Sequence, residues 1–232
     1  MTKTPLLLVP GHLCDAALWS HQIRYLADIA DMSVADTDGG RSMAAMAQAI
    51  LAKAPPRFAL AGLSMGGYLA FEIMRQAPRR VERLALLDTM ASGNTPASLE
   101  RRRRMMDLLR NGRFDAMLDE FKPLLVHPAR LGDLELMGDI DAMTRRVGPR
   151  LALDQQQAML DRADTLDLLP RIACPTLVLC GRQDALTPVV EHETMAKGIA
   201  GARLVIIEDC GHLAPMEMPE AVTAVMRYWL QG

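Results

Sequence analysis

"FALAGLSMGGYLAFEIM", Phe58 to Met74, passes from a short apolar run through a serine flanked by glycines into a second apolar run. The first run is short and continuous, the pattern of a strand buried on both faces. The second places apolar side chains at three- and four-residue steps, the pattern of a helix. Gly62-Leu63-Ser64-Met65-Gly66 therefore sits at a strand-to-helix reversal. In so sharp a turn the helix nearly touches the strand end, leaving no room for a Cβ atom at positions 62 and 66. A phosphate-binding turn would need Gly-x-Gly-x-x-Gly or Gly-Lys-Ser/Thr, and "GLSMGG" supplies neither. Two readings remain: a serine that merely fits a tight buried connection, or a nucleophile held exposed above a sheet.

The rest of the chain extends the pattern. Further apolar runs bounded by turn residues occur at 6–10, 32–36, 83–88, 176–181 and 203–209. Between most of them lie segments of helical period, at 42–53, at 68–77 and at 219–230, the last opening with proline in its first turn. Alternating strand and helix predicts an α/β fold, a doubly wound and mostly parallel sheet of about six strands. The alternation fails from about Ser92 to Asp164, where helix-forming stretches are interrupted by Pro123, Pro128, Gly132, Gly138 and Pro149. This predicts a helical cap at 92–164, inserted before the last two strands of a core built from 1–91 and 165–232. "RRRR" at 101–104 lies in that insertion among nearly as many acids, and reads as a solvated helix face.

Composition narrows the class. Half of the 232 residues are apolar, 23% are charged and the formal net charge is -2, which describes an ordinary globule with no polyanion partner. Cys14, Cys174, Cys180 and Cys210 have no metal-type spacing and read as reduced thiols, so a cytoplasmic location and no metal or other cofactor are expected. "PLLLVP" is too short for a signal-peptide core and reads as the first strand, and no window approaches the length of a membrane span.

A serine hydroxyl becomes a good nucleophile only when a base takes its proton, and that base needs a carboxylate to fix its tautomer. Asp184 follows "TLVLCG" and His212 follows "RLVIIED", so both fall past strand C-termini, where a parallel sheet gathers its site. Asp184 also suits a plain turn before Thr187-Pro188. Asp88, at the end of "LALLD", is a rival acid. His21, His127 and His192 lack evident partners and read as surface residues. For a developing oxyanion, the backbone N–H of Met65 at the helix N-terminus is one donor. In "VPGHLCDAALW", Gly11 lets the chain turn inward and aims the N–H of His12 at the same point, with Leu13 the alternative one residue on.

These residues carry a resemblance. In "PGHLCDAALW", "GLSMGGYLAFEIM", "LLD" at 86–88, "CPTLVLCGRQDALTP" and "IEDCGHLAPMEMPE" the chain resembles the α/β-hydrolase superfamily, in its small capped bacterial serine-esterase-like branch. The resemblance runs nearly end to end, apart from the cap. It implies Ser64 as nucleophile, Asp184 as acid, His212 as base and an oxyanion hole from His12 and Met65. Pro10-Gly11 replaces the His-Gly usual before the oxyanion residue, so the hydrogen bonds of that histidine are missing.

The expected chemistry is two-step acyl transfer from a small or medium, mainly apolar carboxylic ester to water. Carbon–carbon bond hydrolysis and enol-lactone opening use the same triad, and a ligand-binding module without turnover is the alternative of another class. Met105, Met106, Met117, Met137, Met143 and Met159, joined by Met65 and Met216, suit either an adaptable apolar pocket or ordinary helix core. Leu13 and Met216 are the expected pocket residues. The expected partners are a small-molecule substrate and water, with the chain as monomer or homodimer and no nucleic acid.

Overall fold

The computed structural model describes residues 3–232. Six parallel strands form one sheet: β1 (Thr4–Val9), β2 (Ala30–Val34), β3 (Phe58–Leu63), β4 (Val81–Leu87), β5 (Thr176–Gly181) and β6 (Arg203–Ile207), in the spatial order β2-β1-β3-β4-β5-β6. The reversal in direction of winding falls between β1 and β3, at the strands that lead into the two glycine-bearing turns. The expected runs match these strands within about two residues at each end, the largest offset being at β2.

Period-two alternation explains the continuous apolar runs. Leu6, Leu8, Ala59, Ala61, Ala85, Leu87, Leu177 and Leu179 enter one apolar cluster. Leu7, Val9, Phe58, Leu60, Leu84, Leu86 and Val178 enter another on the opposite face. Helices α1 (Ser20–Tyr25), α2 (Met43–Lys53) and α3 (Met65–Gln76) follow the first three strands, with α2 packing beside α3. The edge strands β2 and β6 are partly exposed, because each has a neighbour on one side only.

Between β4 and β5 the described residues contain no strand. Helices α4 (Pro96–Arg110), α5 (Phe114–Phe121) and α6 (Leu134–Leu160) fill the interval. Thr95 and Ser98 form a reciprocal cap that starts α4, and Asp133 caps α6. Gly138 lies inside α6 and does not interrupt it. The break comes at Gly148, whose φ of 74° precedes Pro149 and divides α6 into two helical halves. Met105, Leu109, Met117, Leu118, Ile140 and Ala152 join the same apolar cluster as one face of the sheet, so these helices share the core of the strands. Helices α7 (Val189–Gly198), α8 (Ala214–Glu217) and α9 (Pro219–Gln231) complete the fold. No helix among the described residues is long and apolar enough to cross a membrane.

Candidate active site

The loops after β1, β3, β4, β5 and β6 all leave the carboxyl edge of the sheet, so parallel pairing alone brings residues about 150 positions apart together. Ser64 stands between β3 and α3 with φ 55° and ψ -114°, a conformation an L-residue rarely adopts. The surrounding backbone enforces it. A Cβ on Gly62 would meet the Gly66 carbonyl, and one on Gly66 would meet the Val9 carbonyl. Ser64 N–H donates to Leu87 O at 3.0 Å and Thr89 Oγ1–H donates to Ser64 O at 2.8 Å.

Ser64 Oγ lies 2.8 Å from His212 Nε2, and His212 Nδ1 lies 2.8 Å from Asp184 Oδ2. A carboxylate only accepts, so Nδ1 carries the proton and Nε2 is left to accept from the serine hydroxyl. Asp184 also fills the turn role that its sequence context suggested, using its other oxygen. Oδ1 accepts from the N–H groups of Leu186 and Thr187 at 2.8 and 2.9 Å, while Oδ2 takes the Thr187 hydroxyl at 2.6 Å. Burial works to raise the Asp184 carboxyl, but the adjacent His212 and the Thr187 bonds hold it below the ordinary carboxylate range. The His212 loop is fastened from outside the sheet: the N–H groups of His212 and Leu213 donate to Leu125 O, and buried Glu217 accepts from the N–H groups of Gly211 and His127.

Asp88 makes no hydrogen bond to an imidazole among the described residues. Its Oδ1 accepts from Gly181 N–H at 2.9 Å and its Oδ2 has no partner among the described residues. Burial, with the charge of Asp184 nearby, pushes this carboxyl well above its usual range. The two acids thus diverge, Asp184 held below the ordinary carboxylate range and Asp88 pushed above it.

The N–H groups of His12 and Met65 make no hydrogen bond among the described residues, while Leu13 N–H donates to Gln155 Oε1 at 3.0 Å. Leu13, at φ 59°, is fully buried in the core rather than lining the cavity. The His12 ring sits between two glutamines of α6, with Nδ1 2.8 Å from Gln155 Oε1 and Nε2 2.9 Å from Gln156 Nε2. The amide groups fix its state: Nδ1–H donates, and Nε2 accepts. Burial lowers its pKa to about 3, so it stays neutral. Gln155 Nε2 continues the chain to Thr37 Oγ1 at 3.0 Å. With Pro10 in place of a histidine, the loop is braced from the helical segment instead.

The cavity at Ser64 is small, with about 40 Å³ of room for water. Its apolar wall is Met90, Met105, Phe121, Met159 and Leu186; its polar wall is His12, Tyr68, Arg101, Arg102, Gln156 and Thr187. The pocket is therefore mixed, not mainly apolar. Of the methionines singled out in sequence, only Met105 and Met159 reach it, since Met106, Met117 and Met143 are spent on core packing. Met216 packs against the core near α1 and α9 and lines no part of the cavity.

Two further sequence readings are corrected here. His192 is fully buried rather than on the surface: its Nε2 accepts from Thr89 N–H at 3.0 Å, and burial lowers its pKa to about 4. "RRRR" is split by helical period, with Arg103 and Arg104 facing solvent and Arg101 and Arg102 facing the cavity. Gln155 and Gln156 are further site residues, and "DQQQAML" contains no signal that separates them from helix filler.

Comparison with known proteins places the fold in one family. The profile described as "Alpha/beta hydrolase family" matches residues 6–225. A thermophilic esterase from Thermogutta terrifontis, solved with malate bound, superposes with a TM-score of 0.89 at 35% identity, covering 99% of this chain and 90% of that one. A pimeloyl-[acyl-carrier protein] methyl ester esterase of Nitrosomonas europaea is 27% identical over 187 residues, 77% of this chain and 73% of its own. An enol-lactonase from Burkholderia xenovorans shares the fold, with a TM-score of 0.85 at 23% identity over 100% of this chain and 93% of that one.

Proposed function

Since this chain belongs to the alpha/beta hydrolase family, we propose that it hydrolyses a small or medium carboxylic ester through Ser64, His212 and Asp184. The observation that carries the reading is the unbroken line of two 2.8 Å contacts from hydroxyl to imidazole to carboxylate, beside two unengaged backbone donors.

His212 Nε2 takes the hydroxyl proton as Ser64 Oγ attacks the ester carbonyl. The carbonyl oxygen becomes an oxyanion between the N–H groups of His12 and Met65, the latter at the positive end of α3. Asp184 stabilises the transient imidazolium without taking its proton. Collapse breaks the acyl–oxygen bond, His212 returns the proton to the departing alcohol, and the acyl group remains on Ser64. A water deprotonated by His212 then attacks the acyl carbon, the acyl–Oγ bond breaks, and His212 returns the proton to Ser64 as the acid leaves.

In the same reading, 92–164 is a cap over a core of 1–91 and 165–232. A room of about 40 Å³ holds a few waters, far below the roughly 300–1,000 Å³ of pockets that enclose larger ligands. In this reading a larger substrate is admitted by a shift of α4 and α6 from the core. The test is a series of chromogenic esters of increasing acyl length on wild type and Ser64→Ala. Turnover of short esters that vanishes in the variant is expected; equal turnover by the two proteins would refute the assignment.

A further inference from the structure

We propose that the cavity beside Ser64 contains a subsite for a carboxylate of the substrate, formed by Arg101 and Arg102 of α4. The proposal rests on the hydrolase reading for its chemistry and adds the substrate class: a half-ester, an acid that carries its own negative charge a short distance from the bond to be cleaved.

The argument begins with charge that has no counterpart. On the same helix, Arg104 pairs with Glu120 and Arg110 with Asp107. Among the described residues no carboxylate lies within 4.0 Å of the guanidinium of Arg101 or Arg102. Arg102 is only 8% exposed. Its Nε donates to Asn94 Oδ1 at 3.0 Å and its Nη1 to Gln156 Oε1 at 3.4 Å, both neutral acceptors. Arg101, half-buried, makes no side-chain hydrogen bond among the described residues.

A third guanidinium stands nearby, outside the cavity lining and with the charges of Glu191 and Asp164 in reach. Arg162 stands 4.0 Å over the ring of Tyr68, another cavity residue, donates to Ser92 O, and leaves a buried Nε without a partner. Burial lowers the pKa of all three arginines from its ordinary value, and for Arg102 the other two cations add to the effect. Buried cations are ordinarily paired, because removing a charge from water without a partner is costly. A structural role accounts for Nε of Arg102, held by Asn94 ahead of α4, and for Nη1, which ties α4 to α6, but not for Arg101 in the same cavity.

The missing anion is best supplied by ligand. A guanidinium fork matches a carboxylate in shape as well as charge. The same small cavity is lined by Ser64, so the carboxylate and the scissile carbonyl belong to one short molecule.

The test compares monomethyl glutarate with dimethyl glutarate, which differ in one negative charge at nearly equal size. In wild type the half-ester is expected to exceed the diester in kcat/KM by at least tenfold. In Arg101→Gln, which breaks no existing bond, that ratio is expected to fall to near one; Arg102→Gln is the second variant. A wild-type ratio near or below one, or a ratio unchanged in Arg101→Gln, overturns the subsite. Calorimetric titration of glutarate into Ser64→Ala protein reads the subsite without turnover. Binding that Arg101→Gln weakens about tenfold supports it even if Ser64 proves not to be the nucleophile, and absence of binding overturns it even if Ser64 is.

Discussion

On the sheet side of the cavity, polar groups have closed accounts with one another: Ser64 with His212, His212 with Asp184, and Asp184 with the Thr187 turn. On the helical side they do not. Arg101 and Arg102 face the same space with neutral neighbours or none, whereas the His12 ring and the two glutamines that hold it are bonded at both ends. Both sides are built on packed apolar residues, so the difference lies in what the polar groups serve. Bonds complete before ligand arrives suit reacting groups, whose geometry must be ready in advance. Charge left unmatched suits recognition, where the ligand completes the set.

The comparison breaks most visibly at Ser64. Ser64→Ala is expected to lower kcat on the best ester by on the order of 10⁶, the scale for groups that act as one unit. A loss below tenfold would remove the sheet side from the chemistry. Asp184→Asn should leave the fold intact and lower kcat by about 10⁴, because the amide presents His212 with the wrong tautomer. The measurement is steady-state kinetics across pH 6 to 9, and a loss confined to KM would contradict it.

Gln155 joins the two sides, since its one carbonyl oxygen accepts from both the His12 ring and the Leu13 N–H. Gln155→Ala should free the oxyanion loop and lower kcat by up to about 10², the cost of a displacement near 1 Å at reacting groups. The Michaelis constant should move less. An equal change in both would place Gln155 in substrate binding instead.

How much of this was legible in sequence follows the same division. β1, β3 to β5 and the turn at Ser64 were readable because burial on both faces and a sharp reversal leave few residue choices, and each choice is local. Asp184 and His212 were legible through their position after apolar runs, because strand order carries them to one edge of the sheet. Arg101 and Arg102 were hidden, since a run of four like charges gives no hint which two a helix turns inward. That depends on where α4 lies against α6, a long-range fact. His192 was misread for the same reason: its partner, the Thr89 N–H, comes from the loop after a strand about a hundred residues earlier.

Two buried histidines give a pH signature that involves neither charge recognition nor catalysis. Burial holds His12 neutral down to about 3 and His192 down to about 4, against 6.5 for the ordinary imidazole. As pH falls below 6.5 the unfolded chain takes up protons that the folded chain refuses. Their contribution is therefore complete above that value and declines as pH drops, by up to about 1.4 kcal/mol per unit for each histidine. His192→Gln keeps an acceptor for Thr89 and should flatten the fall in unfolding free energy between pH 6 and 4.5 by one proton's worth. Denaturant melts at a series of pH values give the slope, and identical slopes for variant and wild type would exclude the burial effect at His192.

The smallest effect expected on activity separates the two acids. Asp88 and Asp184 share the carboxyl edge of the sheet, yet only Asp184 bonds to the His212 imidazole, while Asp88 is buried, pushed toward the protonated form and bonded through Oδ1 to Gly181 N–H. Asparagine copies a protonated carboxyl in shape and keeps the Oδ1 acceptor, so Asp88→Asn should change kcat/KM by less than tenfold. Its effect on stability has the opposite sign to that of the histidines. A carboxyl whose folded pKa is raised favours the folded state at low pH and loses that advantage as pH rises through the window above 3.8. The asparagine variant has no proton to lose, so relative to wild type it should become progressively more stable from acid toward neutral pH. If Asp88→Asn instead cost as much rate as Asp184→Asn, the two carboxyls would have to be treated as one coupled pair, and the line from Ser64 through His212 would not end at Asp184.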